Sequence, residues 1–367
     1  MNATAVEAAA SGVALATADD DAGLRALLQR SHLPGAVRVA FTREPRYADG
    51  EALAGATDTT IVHRTDGVVD GMAHFAAHTL YRNGVARRVG YLGELRVEPE
   101  VPRRARALRD GFALLREVVA QAGVDGCVTS IVDDNTRARR VLEHGARLGL
   151  PTYTPIASLT TIVAPVTRAR PAPPADAPAD RDELSDFLDR HARTRHLGLT
   201  WDAARWDALA RHGVGARDFV VRREHGRVVA AGALWDQRAF RQTVVCGYTG
   251  TLARVRPFAN ALARWGLMPP LPVPGSVLPM ASVLGVAADS PAHLAALWRM
   301  LAAAARACGL SWLAIARDAR DLELALLQRL ARGRSYRPSL YDVHWGPRAP
   351  WTDAWDARPF CPEVGLL

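Results

Sequence analysis

Four consecutive stretches decide the fold: YLGELRVEPE (residues 91–100), VPRRARALRDGFALLREV (101–118), CVTSIVDDN (127–135) and TRARRVLEHG (136–145). Val89 to Val97 is a β-rich run. The apolar period then changes from two to about 3.6, with Ala105, Leu108, Phe112, Leu115 and Val119 on one helical face and Arg103, Arg109 and Arg116 off it. That pattern predicts a helix over 103–122, stopped near Gly123. Cys127 to Val132 reads as a buried strand, Asp133-Asp134-Asn135 as a turn or cap, and Thr136 to Arg147 as a second helix with Ala138, Val141 and Leu142 inward. Two strands joined by a crossover helix should run parallel, so an α/β unit is expected here.

Upstream, Asp19-Asp20-Asp21 before Leu24, Leu27 and Leu28 predicts a short helix from Asp20 to Gln29. Val37 to Phe41, Thr60 to His63 and Val68 to Leu80 are strand signals, and the Asp66-Gly67 and Asn83-Gly84 turns make the stretch up to Val97 an antiparallel meander.

Downstream, Val166 to Asp180 carries four prolines among alanines and reads as a stiff linker near the middle of the chain. Beyond it the order of elements repeats. Arg181 to Arg195 is helical, Phe219 to Arg223 and Arg227 to Trp235 form a hairpin around His225-Gly226, and Thr243 to Thr249 is a strand. Ser282 to Val286 is a strand, Ser290-Pro291 opens a helix to Cys308, Leu310 to Ala316 is a strand, and Asp321 to Leu330 is a helix. Val283–Val286 is expected over Glu94–Val97, and Leu313–Asp318 over Thr129–Asp134. Arg332 to Trp345 is expected to close the second half, Pro269 to Pro279 to be an insertion, and Trp351 and Trp355 to pack a tail onto the body. The expected organisation is an extension with a first helix (1–34), a first domain (35–165), a linker (166–180), a second domain (181–347) and a tail (348–367), with a mixed sheet in each domain.

Length and composition agree: 367 residues, 49% hydrophobic and 23% charged, describe two globular cores rather than a disordered or coiled-coil chain. No apolar run approaches the roughly 18 residues of a membrane span, and no cationic leader precedes Arg25, so a cytoplasmic protein without membrane contact is expected. Four scattered cysteines argue against a disulfide framework or a zinc site. The net charge of +8 rests on 46 basic residues that are all arginine, a residue bias that carries little information about partners. No stacking pattern or DNA-reading motif accompanies it, so nucleic acid is disfavoured.

With its strand, arginine-rich turn, helix, strand and N-x-x-A step, this unit resembles the GNAT acyltransferase superfamily. Glu94, Leu95 and Val97 match the family's strand, and Asn135 and Ala138 match its later N-x-x-A spacing. The resemblance covers residues 37–163 and, more faintly, 219–345. It implies two tandem GNAT-like domains, the second degenerate, and acetyl-CoA or another acyl-CoA as co-substrate without a metal. The glycines usual in the phosphate turn are replaced by Ala105 and Ala107. Arg103, Arg104 and Arg106 stand there instead, either to hold a phosphate or as solvated surface residues.

The resemblance further implies that the backbone of Leu95, Arg96 and Val97 binds the acyl-CoA arm and that Asn135 meets the pantetheine, unless Asn135 simply caps its helix. Glu94 is the expected general base, or else a structural carboxylate paired with Arg87, Arg88 or Arg96. The family's tyrosine seven residues after the asparagine is Leu142 here, which leaves solvent or another residue such as Tyr91 or Tyr153 to protonate the thiolate. His74 and His78, on one strand face, are expected to recognise an acidic substrate. The implied activity is direct N-acylation of a small-molecule amine in a ternary complex. The competing expectations are an inactive GNAT-fold binding or scaffold protein and, more remotely, an arginine-rich nucleic-acid binder.

Overall fold

The structure, a computed structural model, describes residues 12–33, 35–50, 58–166, 171–263, 270–346, 351 and 354–366. Parts of the expected linker (167–170), Pro269 of the insertion and the first 11 residues lie outside the described set. Through the first half run β1 (Val13–Leu15), α1 (Asp21–Arg30), β2 (His32–Leu33), β3 (Val37–Thr42), β4 (Asp58–Thr65), β5 (Val68–Arg82), β6 (Val85–Val97), α2 (Arg104–Ala122), β7 (Gly126–Val132), α3 (Thr136–Glu143) and β8 (Thr152–Pro165). The second half continues with α4 (Arg181–Ala192), α5 (Ala203–Arg211), β9 (Phe219–Glu224), β10 (Arg227–Trp235), β11 (Gln242–Tyr248), α6 (Gly250–Ala263), β12 (Met280–Ala288), α7 (Pro291–Ala307), β13 (Trp312–Asp318), α8 (Leu324–Ala331), β14 (Arg334–Tyr336) and β15 (Pro338–His344). The Asp66-Gly67 and Asn83-Gly84 turns have positive φ at both residues, the geometry that matches the twist of tight hairpins. Among the described residues no helix is long and apolar enough to cross a membrane.

Twelve of these strands form one sheet, in the order β1-β4-β5-β6-β7-β15-β8-β13-β12-β10-β9 with β14 beside β8. The first half supplies antiparallel β1, β4, β5 and β6, then β7 parallel to β6. The second half mirrors this with β9, β10 and β12 antiparallel and β13 parallel to β12. β8 belongs to both: residues 152–158 pair with β15, and residues 159–165 pair with β13.

Two strands cross between the halves. β15 does not close the second half as the aromatic run suggested; it lies between β7 and β8, with Tyr341 opposite Thr129 and Val343 opposite Tyr153. Its alternating pattern would suit any half-buried sheet position, and only the unpaired edges of β7 and β8 select this one. β11 pairs with β3 of the first half, and Thr42 donates to the buried Gln242 side chain (2.9 Å).

Three hydrophobic clusters dominate the interior. Leu92, Phe112, Leu115, Leu142, Tyr153 and Tyr341 pack between the first half's strands and its helices. Leu297, Leu301, Leu313 and Leu327 do the same in the second half. On the opposite face Leu80, Val89, Tyr91 and Val128 meet Trp201, Trp206, Phe219, Leu284 and Phe360, so one core spans both halves. Trp351 and Trp355 stack edge-on at 5.2 Å under Arg82 and anchor the segment that follows β15, as expected.

Because β15 and this shared core complete the first half, residues 1–166 expressed alone should show no cooperative thermal transition, whereas co-expression with residues 171–367 should restore one. Circular-dichroism melting tests this. A cooperative melt of the isolated fragment would show that β15 is dispensable.

Candidate active site

β6 and β7 are paired only over Val89–Tyr91 and Gly126–Val128, and then they diverge. The divergence follows a bulge: the β5–β6 register shifts between Met72 and His74, and Glu94 sits at φ 52°, a left-handed conformation rarely adopted by a non-glycine residue. The splay is bridged by side chains. Thr129 donates to the Leu92 carbonyl (2.6 Å), and the Tyr91 and Ser130 hydroxyls lie 2.9 Å apart.

At the end of the splay α2 begins after Arg103, itself left-handed at φ 51°, and its first turn contains no acidic residue. Arg104 there is near Arg137 of α3. Burial and Arg137 lower the Arg104 pKa against the counteracting Glu100, and its Nε is buried without a hydrogen-bond partner among the described residues. Two guanidiniums are thus gathered at the N-termini of two helices, where the dipole already disfavours cations and an anion would offset the cost.

The second half contains the same wedge. β12 and β13 pair only over Met280–Ser282 and Trp312–Ala314, the β10–β12 register shifts between Ala231 and Ala233, and Gly285 sits at φ 61°. Counted from the last parallel pair, Gly285 stands where Glu94 does, two residues beyond the expected match at Val283. This wedge is filled by the chain itself. The Gly285 N–H donates to the Glu363 carboxylate (3.0 Å), the Asp318 N–H to the Phe360 carbonyl (3.2 Å), and the Phe360 N–H to Asp318 (3.0 Å). A Cβ on Gly285 would lie 2.7 Å from the Trp201 ring. Burial pushes Glu363 up to about 6, against the Gly285 N–H and the nearby Arg317 and Arg205. Among the described residues no segment enters the β6–β7 wedge in this way.

Several expected site residues have other duties. Glu94 accepts from Arg43 (3.0 Å) and from the Tyr47 hydroxyl (2.8 Å), rather than from Arg87, Arg88 or Arg96. Burial alone would raise its carboxyl, but Arg43, with His74, Arg241 and Tyr47 adding to it, holds it down to about 2. So acidic a carboxyl accepts a proton less readily than a free glutamate, and Glu94 is the counter-ion of buried Arg43. Tyr153 is buried in the core beneath the helices beside Tyr341, its pKa raised by burial and by Cys127.

Asn135 accepts from the Ala138 N–H (3.2 Å) and caps α3, which is the alternative reading of that residue. Arg106 turns along α2 to Asp110 (3.5 Å), Ala105 is exposed and Ala107 is packed inward. Leu95 packs against the helix-side core, Val97 pairs with Gly71, and Arg96 donates to the Leu95 carbonyl (3.0 Å). His74 is taken up within the sheet by Thr60 (3.1 Å) and Asp58 (3.0 Å).

Tyr91 and His78 remain on the face shared by the halves, each beside the other's strand. Sequence reasoning passed over Arg137, although an arginine at the helix start after Asn135 is the same signal that singled out Arg103 and Arg104. It also missed Arg43, Tyr47, Ser130 and Arg241, which no local pattern marks.

The sequence matches no protein-family model and none of the curated proteins. Solved structures do match. Saccharomyces cerevisiae N-myristoyltransferase with bound myristoyl-CoA superposes with a TM-score of 0.57 at 10% identity, covering 92% of this chain and 84% of that one. A second N-myristoyltransferase structure, with myristoyl-CoA and inhibitors, gives 0.57 at 10% identity over 96% and 86%. The GCN5-related glucosamine N-acetyltransferase region of a fungal multi-domain GH3 β-N-acetylglucosaminidase gives 0.56 at 13% identity, over 90% of this chain but only 38% of that one. The fold is thus that of the GNAT acyltransferases, in tandem.

Two predictions follow from the charges. The Glu94 carboxyl, at about 2 against a usual 4.5, contributes about 3 kcal/mol of stability that is fully present above pH 4.5 and is lost as pH falls towards 2. The unfolding free energies of wild type and Glu94→Gln should therefore differ at pH 6 and converge as pH is lowered from 4.5. A constant difference in urea titrations would refute the ion pair. Changing Arg104 and Arg137 together to Ala should weaken coenzyme A binding about tenfold or more and flatten its salt dependence, read by calorimetry.

Proposed function

We propose that this protein is an acyl-CoA-dependent N-acyltransferase whose first half binds the thioester and passes its acyl group directly to an amine, with acetyl-CoA the first co-substrate to test. One observation carries the reading: of two equivalent splayed wedges, one is filled by the chain's own residues 360–363, while among the described residues no segment enters the other. In the filled wedge the N–H at the bulge donates to a carboxylate oxygen. The corresponding backbone at Glu94 and Leu95 would donate to the thioester carbonyl and stabilise the oxyanion that forms on attack.

The pantetheine arm would lie in the splay, with the pyrophosphate against Arg104 and Arg137. The amine would enter from the face shared by the halves, where His78 and Tyr91 lie. Tyr91, its pKa raised by burial against the Ser130 hydrogen bond and Arg241, stays protonated at neutral pH and is the proton donor nearest the departing thiolate. A thiol leaves readily, so this donation contributes modestly. The second half is then a partner domain that takes no coenzyme.

A binding-only scaffold is favoured by one feature, the buried Leu142 where the related acyltransferases are expected to carry a tyrosine. Thiol release from acetyl- and longer acyl-CoAs over a panel of amines separates the readings. Turnover that falls about tenfold in Tyr91→Phe, with coenzyme A affinity kept, is expected. Saturable coenzyme binding without thiol release from any pair would leave the scaffold.

A further inference from the structure

Between the halves, beyond the wedge, lies a group of donors, two of them buried and one half-buried, that no described acid meets in an ion pair. His78 is 4% exposed, and among the described residues neither of its ring nitrogens has a hydrogen-bond partner. Arg205, 7% exposed, reaches in from α5; its Nη2 touches the Thr79 carbonyl at 3.4 Å, next to His78, and its Nε has no partner among the described residues. Arg241 comes from the turn before β11. Its stem and that of Arg43 lie over the same Gly50, where a Cβ would be 3.3 Å from Arg43 and 3.4 Å from Arg241. Arg241 donates to the Gly365 carbonyl (3.1 Å), and among the described residues neither Arg205 nor Arg241 forms an ion pair.

The nearby carboxylates are committed elsewhere. Glu94 is held by Arg43 and Tyr47, Asp58 by His74, Asp202 by the Arg205 N–H (2.8 Å), and Glu363 by Gly285. Burial, then Arg205, His74 and Arg241, drive His78 down to about 3, so the ring is neutral and able to donate one hydrogen bond. Buried guanidiniums are ordinarily paired, because an uncompensated one costs several kcal/mol. Buried Arg205 and half-buried Arg241, with the unpartnered imidazole, offer the donors that an anion would take.

We propose that the acceptor amine carries a carboxylate or phosphate group, bound between Arg205 and Arg241 with His78 as a further donor. This deepens the acyl-transfer reading by naming the substrate class and rests on it only for the word acceptor. The anion site itself can be measured without turnover.

The full chain with Arg104→Ala and Arg137→Ala, so that the helix-terminal site is silent, is titrated by calorimetry with inorganic phosphate and with acetate. Saturable binding of at least one anion is expected, weakened about tenfold by Arg205→Gln or Arg241→Gln, the loss of one charge-assisted contact. His78→Leu, close in volume, serves if an arginine variant fails to melt cooperatively, and should weaken binding less. No saturable binding to the folded parent, or binding unchanged in the folded variants, overturns the proposal. In thiol-release assays an amino acid is compared with its carboxamide, and an aminoalkyl phosphate with the amino alcohol, so that the two pairs distinguish carboxylate from phosphate. Preference for the neutral member of both pairs overturns the proposal and leaves acyl transfer standing. Failure of coenzyme binding with intact anion binding does the reverse.

Discussion

The structure depends on how parallel strands that separate satisfy their backbone hydrogen bonds. Each half pairs two parallel strands over three residues and then bulges them apart at Glu94 or Gly285. A separated strand exposes N–H and C=O groups that cannot be left buried without partners. Beyond β13 the partners come from residues 360–363 of the same chain. On the far edge of β7 they come from β15, and β8 continues the ladder into the other half. The continuous sheet and the shared core are thus consequences of building two wedges into one chain, and among the described residues only the first wedge receives no segment of that chain.

Arginine supplies every cation in this chain, and the interior makes use of it. A guanidinium keeps its charge when buried, whereas a lysine would tend to lose its own. Arg43, 1% exposed, illustrates the structural use: the carboxylate of the bulge residue Glu94 and the Tyr47 ring at 4.4 Å are organised around one cation. Arg205 and Arg241 feel acids at a distance, Asp202 and Glu363 in the first case and Glu94 and Asp58 in the second, but among the described residues neither is held in an ion pair. The same residue type therefore serves as a scaffold at Arg43 and, in the proposed anion site, as a receptor at Arg205 and Arg241.

Most elements were legible because their signals are local. The change of period after Val97, the two glycine hairpins and the Ser290-Pro291 helix start all reappear where the sequence places them. Partnership between elements was not. The Tyr341 and Val343 alternation marks a strand but not its neighbours, and the match of Val283 to Glu94 fails because a bulge is a register event that leaves no fixed residue type: glutamate in one half, glycine in the other. The site was legible where one helix start carries it, at Arg103 and Arg104. It was not where a carboxylate meets a cation 51 positions away, as Glu94 meets Arg43.

The placement of β15 also sets an order of events during synthesis. β7 and β8 are made early, yet the strand that joins them lies more than 170 residues after the end of β8 begins to be followed by the second half. A nascent first half therefore emerges from the ribosome with two apolar strand edges exposed and must wait, as a loosely held intermediate, for residues 338–344. Such a chain is expected to lean on chaperones during translation and to assemble both halves together after release, rather than one domain at a time.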